Sequence, residues 1–269
     1  MCSEFYVIIT SIWYFFAVPP ENVQFETSAA NNKVCKGETI SINCSAGAVP
    51  SVTSYELLEN GSVVSDASGM WSRNLSSGGV FIYKCVANNS LGSIESESVT
   101  IIVNVPSTIP PIQDETKTEG DNVTLSCYAS GMPSPMVSWI KVGSHTLTNR
   151  NELVLANINR NESGEYRCEA SNECGNASET ASIFVQYMPN ITSISDNQTL
   201  NKGDSVSLNC TADGYPTPTI TWTRVTDNSP VSFPLTITGK QNEGLYRCIA
   251  DNGIGNPVTE EVTIIVHLD

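Results

Sequence analysis

Tyr166-Arg167-Cys168-Glu169-Ala170, followed by Asn172 to Gly175, is the stretch on which the fold of this chain turns. It returns as Tyr83-Lys84-Cys85-Val86-Ala87 before Asn89 to Gly92, and as Tyr246-Arg247-Cys248-Ile249-Ala250 before Asn252 to Gly255. In each copy Tyr, Cys and Ala fall on alternate positions, the period of a strand with one buried face. The Asn and Gly that follow suit the positive-φ positions of a tight hairpin. Upstream of each lies another Cys. Cys44, Cys127 and Cys210 stand 83 residues apart, while Cys85 to Cys168 is again 83 and Cys168 to Cys248 is 80. Two interleaved series with one period imply three copies of one unit.

The residues leading to the upstream Cys repeat as well. Gly37-Glu38-Thr39-Ile40-Ser41-Ile42, Gly120-Asp121-Asn122-Val123-Thr124-Leu125 and Gly203-Asp204-Ser205-Val206-Ser207-Leu208 each begin with a turn glycine and continue as an alternating strand. Trp139 and Trp222 each lie twelve residues past their Cys, after Gly131-Met132-Pro133-Ser134-Pro135 and Gly214-Tyr215-Pro216-Thr217-Pro218. With Cys, Trp and Tyr-x-Cys at this spacing, the sequence resembles the immunoglobulin superfamily. The G-x-P-x-P lead-in and the Asn-x-x-Gly hairpin make it similar to the I-set, of the kind in hemicentin and neural cell-adhesion ectodomains.

The resemblance covers about residues 19–267 and implies an all-β fold: three tandem immunoglobulin-like (I-set) β-sandwich domains arranged as a semi-rigid rod. The expected bounds are 1–18 for a signal peptide, 19–104 for a divergent first domain, 105–187 for the second and 188–269 for the third. Connectors of about ten residues hold Pro106, Pro110, Pro111 and Pro189, which should stiffen them. The first copy departs from the pattern. Pro50 keeps its place six residues after Cys44, but no Trp follows; Tyr55 stands there one residue early, and Trp71 can fill the gap from a neighbouring strand. The expected core anchors are therefore Tyr55, Trp139 and Trp222, with Tyr83, Tyr166 and Tyr246.

The resemblance further implies bridges Cys44–Cys85, Cys127–Cys168 and Cys210–Cys248 between packed sheets. Each closes a loop of about 40 residues, worth about 4 kcal/mol by loss of unfolded-chain entropy. Reduced thiols, as in cytoplasmic muscle-type domains, are the competing reading; three complete pairs favour oxidation. Cys2, Cys35 and Cys174 remain. In a sandwich of this type the turn holding Cys35 faces the next domain and the hairpin holding Cys174 faces the previous one. An interdomain disulfide Cys35–Cys174 is one reading; a free thiol at each, with Cys174 filling an apolar slot, is the other.

Composition bounds the function. The 269 residues carry 13 Lys+Arg against 28 Asp+Glu, a formal net charge of −15, which opposes nucleic-acid binding and docking on anionic lipid. His145 and His267 are the only imidazoles, so a His-built metal or catalytic site is nearly excluded. The negative charge is spread evenly over the three units, without an acidic cluster of calcium-binding type. Lys202-Gly203-Asp204 superficially resembles an integrin-recognition tripeptide, but it occupies the same turn as Lys36-Gly37-Glu38 and Glu119-Gly120-Asp121. There is no phosphate-cradling loop, zinc spacing or nucleophile elbow, and no catalysis or cofactor is expected.

Phe5 to Val18 is an apolar run of 14. That suits a signal-peptide core better than a membrane span, which needs about 17–25 residues. The leader lacks Lys and Arg and no A-x-A site follows, so a mis-started chain is the alternative. No other run could cross a bilayer. Asn-x-Ser/Thr occurs at Asn43, Asn60, Asn74, Asn88, Asn122, Asn161, Asn176, Asn190, Asn197 and Asn209, twice the roughly five expected by chance. Together these features predict a secreted or cell-surface glycoprotein. It would act in adhesion or recognition through homophilic or heterophilic contacts with cell-surface or matrix proteins. The alternative is the ligand-binding part of a receptor kinase, receptor phosphatase or peroxidasin-type protein.

Overall fold

The computed structural model describes residues 17–267, so residues 1–16 of the predicted leader and Cys2 lie outside the described residues. The last residue assigned to the leader, Val18, already opens the strand Val18–Thr27 and pairs with Val49. No helix among the described residues is long and apolar enough to cross a membrane. The chain is all-β, as tandem sandwiches, and divides into two compact units.

The first unit contains the described residues up to Thr108, with Ala129–Met136 and Ala170–Ala177. One sheet orders Val18–Thr27, Thr39–Val49 and Met70–Asn74. The other runs Ser130–Met132, Val99–Thr108, Gly79–Asn89, Ser54–Glu59 and Ser62–Ala67, with Lys33–Cys35 parallel to Val99–Thr108 and Gly92–Glu95 against Gly79–Asn89. Period-two alternation sends Ile40, Ile42 and Cys44 inward from one sheet and Tyr83 and Cys85 from the other.

The residue opposite Cys85 is Leu57, not the expected Tyr55. Leu57 thus holds the register place that Trp222 holds opposite Cys248. Leu is smaller than Trp, and the volume is made up by Trp71, which stands opposite Ile42 and is 8% exposed. Tyr55 lies two residues earlier, half-buried against the same core, and its hydroxyl accepts a bond from Ala46 N at 3.1 Å. Gly69, at φ 91°, makes room for that ring: a Cβ there would sit 3.1 Å from it and 2.6 Å from the Cys44 carbonyl.

The second unit contains residues 109–128, 137–169 and those from 178 onward. Its first core gathers Val123, Leu125, Cys127, Trp139, Tyr166, Cys168 and Ile183 between the pair Val123–Ser126/Glu152–Leu155 and the sheet Glu115–Thr118, Gly175–Ile194, Gly164–Asn172, Met136–Lys141, Thr146–Thr148. Its second core gathers Val206, Leu208, Cys210, Trp222, Tyr246, Cys248 and Ile264. The sheet beside it orders Gln198–Asn201, Val258–His267, Gly244–Asp251, Thr219–Arg224 and Pro230–Val231.

Pro106 and Pro189 do not sit in separate connectors. Pro106 is inside the strand Val99–Thr108, and Pro189 is inside the 20-residue strand Gly175–Ile194. Proline lacks an N–H and is tolerated where a ladder needs none. Pro189 falls at the register shift between Tyr187 and Asn190, and Pro106 lies between Val105 and Thr108, where the pairing is also irregular.

Candidate functional site

The three hairpin asparagines do not take positive φ. They act through their side chains. Asn172 Nδ2 donates to Val105 O at 2.8 Å and Pro133 O at 3.0 Å, while its Oδ1 accepts from Cys174 N and Gly175 N. Asn89 bonds Val18 O and Pro50 O in the same way and accepts from Leu91 N. Asn252 bonds Tyr187 O and Pro216 O and accepts from Ile254 N. Each carboxamide therefore joins three segments, and each of the prolines it grips follows a cis peptide bond.

The turn glycines repeat with equal fidelity. Gly37, Gly120 and Gly203 have φ of 93°, 93° and 102°, a region that favours glycine. The acidic residue after each is occupied by its own turn: Glu38, Asp121 and Asp204 accept from the backbone N of Cys35, Thr118 and Asn201. Asp204 in Lys202-Gly203-Asp204 is thus a turn-capping carboxylate.

Among the described residues the cysteines form four disulfides: Cys44–Cys85, Cys127–Cys168, Cys210–Cys248 and Cys35–Cys174, the last with Cα atoms 5.6 Å apart. Cys35–Cys174 lies within the first unit and ties its sandwich to the hairpin Asn172–Gly175. Both its residues are partly exposed, whereas Cys85, Cys127, Cys168 and Cys248 are fully buried. Beside it Asn104, buried, donates to Glu173.

Tyr166 and Tyr246 donate their hydroxyls to Glu162 O and Asn242 O at 2.8 Å. Tyr83 differs because Gly78-Gly79 replaces the Glu-rich approach of the other copies; it donates to Glu59 Oε2 at 2.8 Å, which also pairs with Arg73 at 2.8 Å. Burial first, and the Glu59 carboxylate second, push the Tyr83 phenol up to about 12.

The second unit contains a charged cluster that the sequence does not announce. The Arg160 guanidinium stacks 3.8 Å from the centroid of Tyr187, bonds Glu119 through Nε and an Nη, and lies 3.5 Å from Asp213. Tyr187 in turn donates to Asp213 at 3.2 Å. The Arg160 hydrogen bonds hold the Glu119 carboxyl below the usual range. These residues come from four separate segments, and no local motif joins them.

The ten sequon asparagines are all exposed except Asn88, which is half-buried. Asn74 spends its amide nitrogen on Gly37 O at 3.0 Å and Thr39 Oγ1 at 3.3 Å, and Asn88 holds Ser54 and Glu56 at 3.4 Å. Asn60, Asn122 and Asn197 are held only by their carboxamide oxygens, which accept from Ile82, Asn157 and Thr263 N. Asn43, Asn161, Asn176, Asn190 and Asn209 make no side-chain hydrogen bond among the described residues.

Family models described as immunoglobulin domain match residues 22–103, 106–172 and 188–252. The human protein named peroxidasin homolog is 30% identical over 265 residues, covering 88% of this chain and 18% of that protein. Human hemicentin-1 is 32% identical over 191 residues, covering 64% of this chain and 3% of that protein. The chain thus spans less than a fifth of these relatives. Among solved structures, an I-band fragment of titin superposes with TM-score 0.57 at 18% identity, covering 93% of this chain and 99% of the fragment. A structure of Dpr2 in complex with DIP-Theta gives 0.56 at 20%, covering 92% and 100%.

Proposed function

The chain belongs to the immunoglobulin superfamily, as tandem immunoglobulin domains, and from that premise we propose that it is an extracellular recognition segment that binds other proteins through its sheet faces and performs no catalysis. The observation that carries this reading is the placement of sequons around the C-terminal sandwich. Asn190, Asn197 and Asn209 lie on or beside the strands Gly175–Ile194 and Gln198–Asn201 and just before Cys210–Tyr215. Thr219–Arg224, Gly244–Asp251 and Val258–His267 hold no sequon. On the sequon-free strands of this sheet, whose edge strand Gln198–Asn201 follows Asn197, Thr219, Thr221, Ile249 and Asp251 line a shallow hollow of about 440 Å³ beside Asn252. Broad, shallow sheet faces of this kind suit protein contacts of about 1,200–2,000 Å². The disulfide set supports an oxidising compartment, either secreted or at the cell surface.

The test is a glycan wedge. Thr221→Asn creates a sequon with Trp222 and Thr223 on the strand Thr219–Arg224, at that hollow. Beads coated with the secreted chain should cluster with one another if binding is homophilic, or attach to cell surfaces if it is heterophilic; the substitution should abolish whichever occurs. Undiminished binding would move the contact off this sheet. Absence of both clustering and attachment would overturn the recognition reading. The match to peroxidasin homolog across 88% of this chain favours a second reading, in which these domains are the ligand-binding part of a larger enzyme-linked protein. A full-length transcript with a catalytic domain in frame would support it.

A further inference from the structure

Asn60 sits in a two-residue hairpin between Ser54–Glu59 and Ser62–Ala67, with φ of 51°, and Gly61 follows at 82°. Asn-Gly suits such a turn. The Asn60 backbone N donates to Ile82 O at 2.8 Å, and Ile82 N donates to Asn60 Oδ1 at 3.0 Å. The carboxamide is thereby fixed by its oxygen, and its Nδ2 makes no hydrogen bond among the described residues. Next to it lies a hollow of about 410 Å³ lined by Leu58, Asn60, Gly61, Ile82, Lys84 and Glu95. Val63 stands opposite Leu58 in the hairpin and Val80 and Ile82 alternate on the strand Gly79–Asn89; Val63, Val80 and Ile82 are 57%, 58% and 45% exposed. Grouped exposure of large apolar side chains signals that something covers them. The Lys84–Glu95 ion pair, 3.0 Å, sits at the edge of the hollow and offers both a donor and an acceptor.

We propose that Asn60 carries an N-linked glycan whose first N-acetylglucosamine packs its apolar C–H face on Leu58 and Ile82, with its acetamido and hydroxyl groups toward Lys84 and Glu95. This rests on the secretory reading above. The modification needs a lipid-diphosphate-linked oligosaccharide as co-reactant. Asn60 Nδ2 loses one proton and forms a bond to C1 of the reducing-end sugar; the C1–O bond to the diphosphate breaks, and the lipid diphosphate leaves with the electron pair. Nδ2 keeps its second hydrogen and Oδ1 keeps its bond to Ile82, so attachment costs the fold no hydrogen bond. At Asn74 it would displace a donor already used by Gly37 or Thr39.

The full chain secreted from a mammalian line is digested and its glycopeptides are read by mass spectrometry. The Asn60 peptide should carry the sugar core in more than half of the molecules. Ser62→Ala removes the sequon and leaves Asn60 in place. In the secreted protein it should lower the first thermal transition by about 4 °C, the shift expected for a modest local loss in a small domain, and raise the binding of a hydrophobic dye. In unglycosylated chain refolded from bacteria the same substitution should change neither. Trimming the glycan to one sugar should retain the stabilisation. An unmodified Asn60 with other sequons occupied would overturn this site alone. An occupied Asn60 with unchanged Tm and dye binding on Ser62→Ala would overturn the contact with Leu58 and Ile82. Ten empty sequons would remove the secretory reading and this site together.

Discussion

Asn172 donates a 2.8 Å hydrogen bond to the carbonyl of Val105, and the same bond joins Asn89 to Val18 and Asn252 to Tyr187. Asn172 is also the donor to Pro133 and the acceptor for Cys174 and Gly175. Asn172→Ala would strand two carbonyls and two N–H groups. The expected loss is about 2–3 kcal/mol, because unmade bonds of partly buried groups cost more than made ones contribute. Asn172→Asp should be no better, since a carboxylate cannot donate to either carbonyl. Denaturant unfolding of the chain measures both; a loss below about 0.5 kcal/mol, the range of ordinary surface substitutions, would contradict the clamp.

Cys35–Cys174 is partly exposed, whereas both sulfurs of Cys127–Cys168 are fully buried. Thiolate attack needs access. Under mild reductant without denaturant, Cys35 and Cys174 should be alkylated first, before any of the three sheet-bridging pairs. Differential labelling with peptide mapping shows the order. The double substitution Cys35→Ser with Cys174→Ser should leave the other three bridges intact.

Tyr83 makes alkaline stability specific. Its folded-state pKa is raised by burial and by Glu59, so the folded state holds the phenol proton more tightly than the unfolded chain does. The stabilisation is complete below the unfolded pKa, near 10, and is lost as pH rises toward about 12. Unfolding curves from pH 9 to pH 12 should show the stability gap between the natural chain and Tyr83→Phe shrinking. A constant gap would mean that ionisation at Tyr83 is not linked to folding.

Glu119 makes the opposite case. Its pKa is depressed by the hydrogen bonds from Arg160, so the contribution is present above the ordinary carboxylate range and lost as pH falls through the folded value. Arg160→Ala should return the Glu119 titration toward the ordinary value, followed by carboxyl chemical shifts. The same substitution should change the ring shifts of Tyr187, which now lies under the guanidinium. An unmoved Glu119 titration would show that the pairing is not formed in solution.

Much of this was legible in the chain itself because sheet periodicity and disulfide spacing are local or regularly repeated. The alternation Val123, Leu125, Cys127 and the twelve-residue step to Trp139 are visible without coordinates. The first copy misled at Tyr55 because one residue of extra chain between Cys44 and the opposing strand moves the anchor to Leu57, and bulk lost there returns from Trp71 on another strand. The hairpin asparagines are apparent by their spacing, but the two carbonyls that each carboxamide joins lie tens of residues away and leave no local signal. Arg160, Tyr187, Asp213 and Glu119 gave no signal at all, since their association depends on how strands distant in sequence pass one another.

The uninterrupted strand Gly175–Ile194 imposes a rule on gene-level edits. Ala181, Ile183 and Val185 point into one core, and Ile191 and Ile194 pack against the next. Inserting or deleting one residue between Val185 and Pro189 would turn one of these series outward, whereas a change of two would preserve both. Viable length variation at this place should therefore come in even steps.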